Sequence, residues 1–338
     1  MRAKRIMLFL LLSITLSVGH QTAIAEESVG FSIKAQLSNS QISPDVSYFD
    51  LRVEPGRDEF LEISVYNHKP EPLTVEVHVF NASTNRNGLI VYEPVEPADS
   101  LVTPLTDWIS LKEDRLTVEA NGTGTIRLDV TSIEPFDGIK LGGVYVEKVN
   151  EDEDNQGVML SNQYAYVTAI QLSENDEPVM SEVEFISVGP ELINYRTAVT
   201  AQIENVQPEI LADLSIEAQL YEVDSNELVT EQTYENWRMA PNSTADIGIS
   251  LNNRPIQAGD YRLEMTVFNA NHVWEFEELF SIEEADEAIN EQAVDTDDEH
   301  NGEERVQSLG IYYGAGAVVW AGSTAGLLVY IRKLKKKH

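Results

Sequence analysis

The segment "LTVEVHVF", residues 73–80, alternates apolar and polar side chains from Leu73 through Val79. Leu73, Val75, Val77 and Val79 fall on one side, and Thr74, Glu76 and His78 on the other. That period of two predicts a strand with one buried face. "LSIEAQLYEV" (214–223) and "DYRLEMTVF" (260–268) repeat the pattern, and shorter runs follow at "FLEISVYN" (60–67), "GTIRLDVTS" (124–132) and "YAYVTAIQL" (164–172). Turn signals such as "NRNG" (85–88), "NGTG" (121–124) and "FDG" (136–138) separate them. Many short strands at this spacing predict an all-β chain of two tandem immunoglobulin-like β-sandwich domains. The break is placed at "SENDEP" (173–178), giving domains over 26–175 and 176–283.

The two ends have a different character. Residues 1–25 carry Arg2, Lys4 and Arg5, then an apolar core, then Ala23-Ile24-Ala25, the pattern of a cleaved signal peptide. Leu309–Ile331 is 23 residues without a charge. As a helix it would be about 34 Å long, enough to cross a bilayer. Arg332, Lys333, Lys335, Lys336 and Lys337 follow it. By the positive-inside rule they stay cytoplasmic, which gives a single-pass protein with its N-terminus outside. Between domains and span, 284–308 is acidic and poor in aromatics, and reads as a disordered stalk. Gly310/Gly314 and Gly322/Gly326 have the small-xxx-small spacing that would let two spans pack as a homodimer.

Charge narrows the partners. The signal holds three basic residues and the tail five, leaving 15 against all 57 acidic residues in the exported part, a net charge of −42. Such a surface disfavours nucleic acid and anionic lipid as ligands. There is no cysteine, hence no disulfide despite export, which suits a bacterial surface without an outer membrane. The sequence has no G-x-S-x-G, H-E-x-x-H or phosphate loop, and its six histidines fall in turns, on polar faces or in the terminal segments. "DEDNQG" (152–157) opens like a calcium loop, but its twelfth position is Gln163 where that loop needs a bidentate Glu. No catalytic residue, cofactor or metal site is assigned.

The stretch "SPDVSYFDLRVEPGRDEFLEISVYNHKPEPLTVEVHVFNASTNRNGLIVY" (43–92), continued by "PFDGIKLGGVYV" (135–146) and "YAYVTAIQL", resembles the first domain of the WxL-interacting proteins of Gram-positive bacteria. "MAPNSTADIGISLNNRPIQAGDYRLEMTVFNANHVWEFEELFSI" (239–282) is similar to their second domain. The resemblance implies a non-enzymatic surface scaffold in the cell-wall zone. Its first domain would bind peptidoglycan. Its second would bind secreted WxL proteins, which carry Trp-x-Leu motifs. None of Trp108, Trp237, Trp274 or Trp320 is followed two places on by Leu, so this chain is of the receptor type. Glycan binding calls for hydrogen bonds and an aromatic platform, and Tyr48, Phe49, Asn81, Thr84, Asn85, Asn87 and Tyr92 are the candidates. Trp237 and Trp274 are the candidates for partner binding. A chaperone-like assembly factor and a wall-modifying enzyme are the alternatives.

Overall fold

The computed structural model describes residues 29–149 and 164–293. The expected signal peptide, the 150–157 loop, most of the stalk, the span and the basic tail lie outside these residues. Among the described residues, no helix is long and apolar enough to cross a membrane.

The chain is built from strands. The first eleven are β1 (Phe31–Gln36), β2 (Phe49–Arg52), β3 (Glu59–Asn67), β4 (Leu73–Asn81), β5 (Ser83–Thr84), β6 (Ile90–Val91), β7 (Ile109–Leu111), β8 (Arg115–Val118), β9 (Thr123–Val130), β10 (Lys140–Lys148) and β11 (Ala165–Ser173). They form two facing sheets, ordered β1-β3-β9-β7 and β2-β11-β10-β4-β8, and a small β5-β6 hairpin. "LTVEVHVF" lies in β4, a strand flanked on both sides, and Leu73, Val75 and Val77 are buried as their alternation predicts. With Phe31, Phe49, Leu51, Ile63, Leu128, Val144 and Ile170 they belong to one continuous apolar core.

Residues 174–182 lead to a second set: β12 (Val183–Ile193), β13 (Arg196–Asn205), β14 (Leu211–Glu222), β15 (Leu228–Met239), β16 (Ser243–Ser250), β17 (Gly259–Phe268) and β18 (Val273–Ile282). Their sheets run β12-β13-β16 and β15-β14-β17-β18 around a separate core that includes Ile203, Leu214, Ile216, Trp237 and Leu263.

The second set repeats the first. Removing β2 from the five-stranded sheet leaves β11-β10-β4-β8, which corresponds strand for strand to β18-β17-β14-β15. The turns repeat as well. "NHKPE" (67–71) after β3 matches "NVQPE" (205–209) after β13. In each, the leading asparagine is buried, and its carbonyl oxygen accepts from the backbone N–H two residues on, Lys69 or Gln207, at 2.9 and 3.2 Å. Its amide donates to the carbonyl four residues on, Glu71 or Glu209, at 2.8 Å in both. The amide also reaches across the sandwich, from Asn67 to Val118 and from Asn205 to Ala240. Each side chain thus satisfies backbone groups that the turn would otherwise bury unpaired. Asn121 and Asn242, which open β9 and β16, both take left-handed backbone, with φ of 53° and 48°.

One expectation is corrected. The acidic composition predicts a disordered stalk from residue 284, yet Glu284–Gln292 folds as a 3₁₀ segment against the second core. Ile289 packs on that core, and the Asn290 amide exchanges two hydrogen bonds with the Ile256 backbone, both 2.8 Å. A capping box between Glu283 and Asp286 starts the segment. Its acidic composition hid the two residues that anchor it.

Candidate functional site

The β5-β6 hairpin, "STNRNGLIV" (83–91), projects from the first sandwich onto the second. Asn85 shapes its tip by accepting from the N–H groups of Asn87 at 2.9 Å and Leu89 at 3.1 Å. Gly88 adopts φ of 68° and lies so close to the Trp237 indole that a β-carbon there would meet ring atoms at 2.3 Å. The Arg238 backbone N–H donates to the Gly88 carbonyl at 2.9 Å. The Thr84 hydroxyl accepts from the Ala240 N–H at 2.9 Å and lies 2.7 Å from the Ser243 hydroxyl. The Arg86 guanidinium donates to both Glu191 carboxylate oxygens, at 2.8 and 2.7 Å, and to Asp246 at 3.1 Å. Behind the hairpin, Ala82, Leu141 and Ala240 form a small apolar cluster with Ile90, Tyr92, Ile139 and Ile210. The Ile139 N–H donates to the Pro208 carbonyl. The two sandwiches are therefore joined by backbone hydrogen bonds, an apolar seam and an ion cluster.

This junction is expected to respond to acid. The Arg86 hydrogen bond holds the Glu191 carboxyl below its ordinary value of 4.5, with burial opposing and the Thr200 hydroxyl and the guanidinium charge assisting. A carboxyl whose pKa is lowered in the docked state stabilises docking above its ordinary value and loses that contribution as pH falls through the docked value. The cluster is partly solvated, so its share is screened. Docking is expected to be flat from neutral pH down to about pH 5 and to loosen below it, with Arg86→Ala loosened at every pH. Small-angle scattering across a pH series, wild type against Arg86→Ala, measures this.

A cleft of about 650 Å³ runs beside the hairpin. Phe80, Asn81, Ser83 and Thr84 form one wall, the loop Glu93–Ala98 another, and Gln202, Thr244 and Asp246 the floor from the second sandwich. The Ser83 hydroxyl oxygen is buried beside it with no protein partner. Next to the cleft, the outer face of the five-stranded sheet carries aromatic rings. His78 stacks on Phe80 at 5.8 Å, and Phe80 meets Tyr145 edge-on at 6.0 Å. Tyr92 lies over Gly143, where a β-carbon would come within 2.7 Å of its ring. Burial pushes the Tyr92 phenol upward, and burial with Glu147 and Glu93 does the same to Tyr145. Glu76, His78 and Glu147 present donor atoms within 4.8 Å of one another and could hold a metal ion. Arg115 already engages Glu76 at 3.2 Å, and His78 faces Glu147 at 3.4 Å.

The sequence candidates separate on this geometry. Phe49 is wholly buried, so it offers a ligand no surface. Asn81 spends both ends of its amide on Thr106. Thr84 and Asn85 build the junction and the hairpin tip, while Asn87 is exposed at that tip. Tyr48 and Tyr92 are half-buried, with Tyr92 at the seam. Trp237 is 3% exposed, tilted against Tyr234 and covered by Gly88. Trp274 is half-buried on β18 beneath a stacked His272. Sequence reading missed the ring row of His78, Phe80 and Tyr145. The signal was present, since Phe80 continues the polar side of β4 after Thr74, Glu76 and His78.

Among the described residues the candidate site thus consists of an aromatic outer sheet face and a mixed cleft between two β-sandwiches. Two family models match the chain: "WxL Interacting Protein, peptidoglycan binding domain" over residues 31–148 and "WxL Interacting Protein, host binding domain" over 155–291. The chain belongs to the WxL Interacting Protein family, and both matched domains are described as binding domains. The second match takes in β11, which pairs within the first sandwich. A search of curated proteins finds no match. Among solved structures, the YadV chaperone is 11% identical, with 74% of this chain and 100% of that chain covered and a TM-score of 0.31. The E. coli chaperone DraB is 16% identical over 75% and 97%, at 0.27. The PapD-like domain of human CEP192 is 8% identical over 44% and 88%, also at 0.27.

Proposed function

We propose that this chain is a non-enzymatic, membrane-anchored scaffold of the Gram-positive cell surface. Its first immunoglobulin-like sandwich, within 26–175, binds peptidoglycan. Its second, within 176–283, binds secreted WxL proteins and so tethers them to the wall. The signal peptide, the remaining stalk, the span over 309–331 and the basic tail supply export and anchoring, with the N-terminus outside. The observation that carries this reading is the match of both family domains, in order, along one chain.

The outer sheet face is the glycan surface we favour. Aromatic rings offer sugars an apolar face, and an exported part of net charge −42 gains nothing from electrostatics against an anionic wall. Phe80 and Tyr145 stand where that face meets the cleft. Replacing both by alanine in the intact protein is expected to weaken retention on purified sacculi at least about tenfold, leaving WxL-protein binding unchanged. Unchanged retention would move the glycan site elsewhere. Separated domains are the wrong reagents here, since cutting between them bares the seam around Leu141 and Ala240. The second family's description favours a further reading, in which the second domain contacts a host ligand. Binding of the intact protein to host extracellular matrix would support it.

A further inference from the structure

The internal repeat is incomplete at one edge. In the first sandwich β2 runs parallel to β11 and closes its free side, pairing Phe49 with Ile170 and Leu51 with Leu172. With that edge closed, the core-side residues Thr168, Ile170 and Leu172 of β11 are 6%, 0% and 0% exposed. In the second sandwich the corresponding strand, β18, ends its sheet, and no strand among the described residues occupies the place of β2. In the core-side row of β18, Ile282 at the far end is 4% exposed, but Trp274, Phe276, Glu278 and Phe280 stay half-exposed.

The other long edges of the second sandwich are protected. β12 has a bulge between Phe185 and Ser187 and carries Pro190, and β15 breaks register at three places. β16 is covered from β15, whose Tyr234 and Thr230 hydroxyls donate to the Gly248 and Ser250 carbonyls. β18 pairs with β17 in unbroken register over ten residues and contains no proline. A regular edge of that kind is a template for another strand. Its exposed Glu275 and Glu277 would repel a second copy of the same edge.

The strand that fills this place in the first sandwich shows what fits. β2 presents Phe49-Asp50-Leu51, an aromatic residue and a leucine two apart, both turned into the core and both 0% exposed. Trp-x-Leu has the same spacing and the same two-residue period. We infer that the second domain receives the Trp-x-Leu segment of its secreted partner as an added strand on the open edge of β18, as β2 is added to β11 within this chain. The tryptophan and leucine lie against Trp274, Phe276 and Phe280, and the indole N–H has the Glu278 carboxylate in the same row as acceptor. The inference rests on the proposed WxL partnership and specifies how it is made.

The test uses the intact protein with a WxL protein secreted by the same cells, and with a synthetic peptide of about nine residues centred on its Trp-x-Leu. Hydrogen exchange is followed with and without each. Both are expected to slow exchange along β18 and not along β11. Methylating alternate peptide nitrogens, Trp→Ala in the peptide, or Phe280→Ala in the protein is expected to weaken peptide binding at least about tenfold. The methylated peptide needs no change to the protein, so it decides the matter even if Phe280→Ala fails to fold. If the WxL protein binds while β18 exchange is unchanged, or the methylated peptide binds as well as the parent, strand addition is overturned and the partnership stands. If the WxL protein does not bind at all, both are overturned.

Discussion

Gly88→Val is expected to separate the two sandwiches. The substituted β-carbon would sit 2.3 Å from Trp237 ring carbons, and the backbone there has φ of 68°, which a β-branched residue strongly resists. Trp237 is held by the second core and has little room to retreat. The overlap and the backbone strain together should cost about 3 kcal/mol or more. Because that cost falls on contacts between domains, each core should survive. Thermal unfolding is expected to split into two transitions, protease to gain access within 174–182, and the radius of gyration to rise. A single transition at the wild-type temperature would show that the hairpin does not hold the junction. Gly88→Ala, with one methyl to place at the same φ, should show a smaller shift in the same direction.

Phe49→Ala is expected to be costly in a different way. Its ring is wholly buried in the first core, so truncation should destabilise that domain by about 3–5 kcal/mol. β2 is only four residues long and is held by Phe49, Leu51 and its pairing with β11. Losing the ring should release the strand, so amide exchange along β11 should accelerate before the rest of the sheet is affected. Phe49→Leu keeps an apolar side chain in place and should restore most of the protection. If Phe49→Ala left β11 exchange untouched, the claim that β2 closes this edge would fail.

The strands were legible in the sequence because period-two burial is a local property. Leu73, Val75 and Val77 announce β4 with no knowledge of their neighbours. The repeated Asn-x-x-Pro-Glu turns stand 138 positions apart and share only three residues, so it is the fold that pairs them. The junction was not legible. "TNRNG" has the composition of any hairpin tip, and its role depends on Glu191, Trp237 and Asp246, more than 100 residues downstream. For the same reason Thr84 and Asn85 read as ligand contacts when their hydrogen bonds are internal. Phe49 was indistinguishable from a surface aromatic because its burial comes from a parallel pairing with a strand about 120 residues away. Glu284–Gln292 was lost in its acidity, since two side chains among nine residues decide its packing.

The parallel addition of β2 also has a consequence for how the chain reaches this state. The β3-β4 turn and the β13-β14 turn close within a few residues, but Phe49 must wait for Ile170. Contacts so distant in sequence form late, after local pairing has assembled the rest of the sheet. Until then β11 presents the same open edge that β18 keeps in the finished molecule. During folding β11 would therefore offer, for a time, a second site of the kind proposed for β18. β2 ends that overlap: as a resident occupant it closes β11, while β18 keeps its edge open among the described residues.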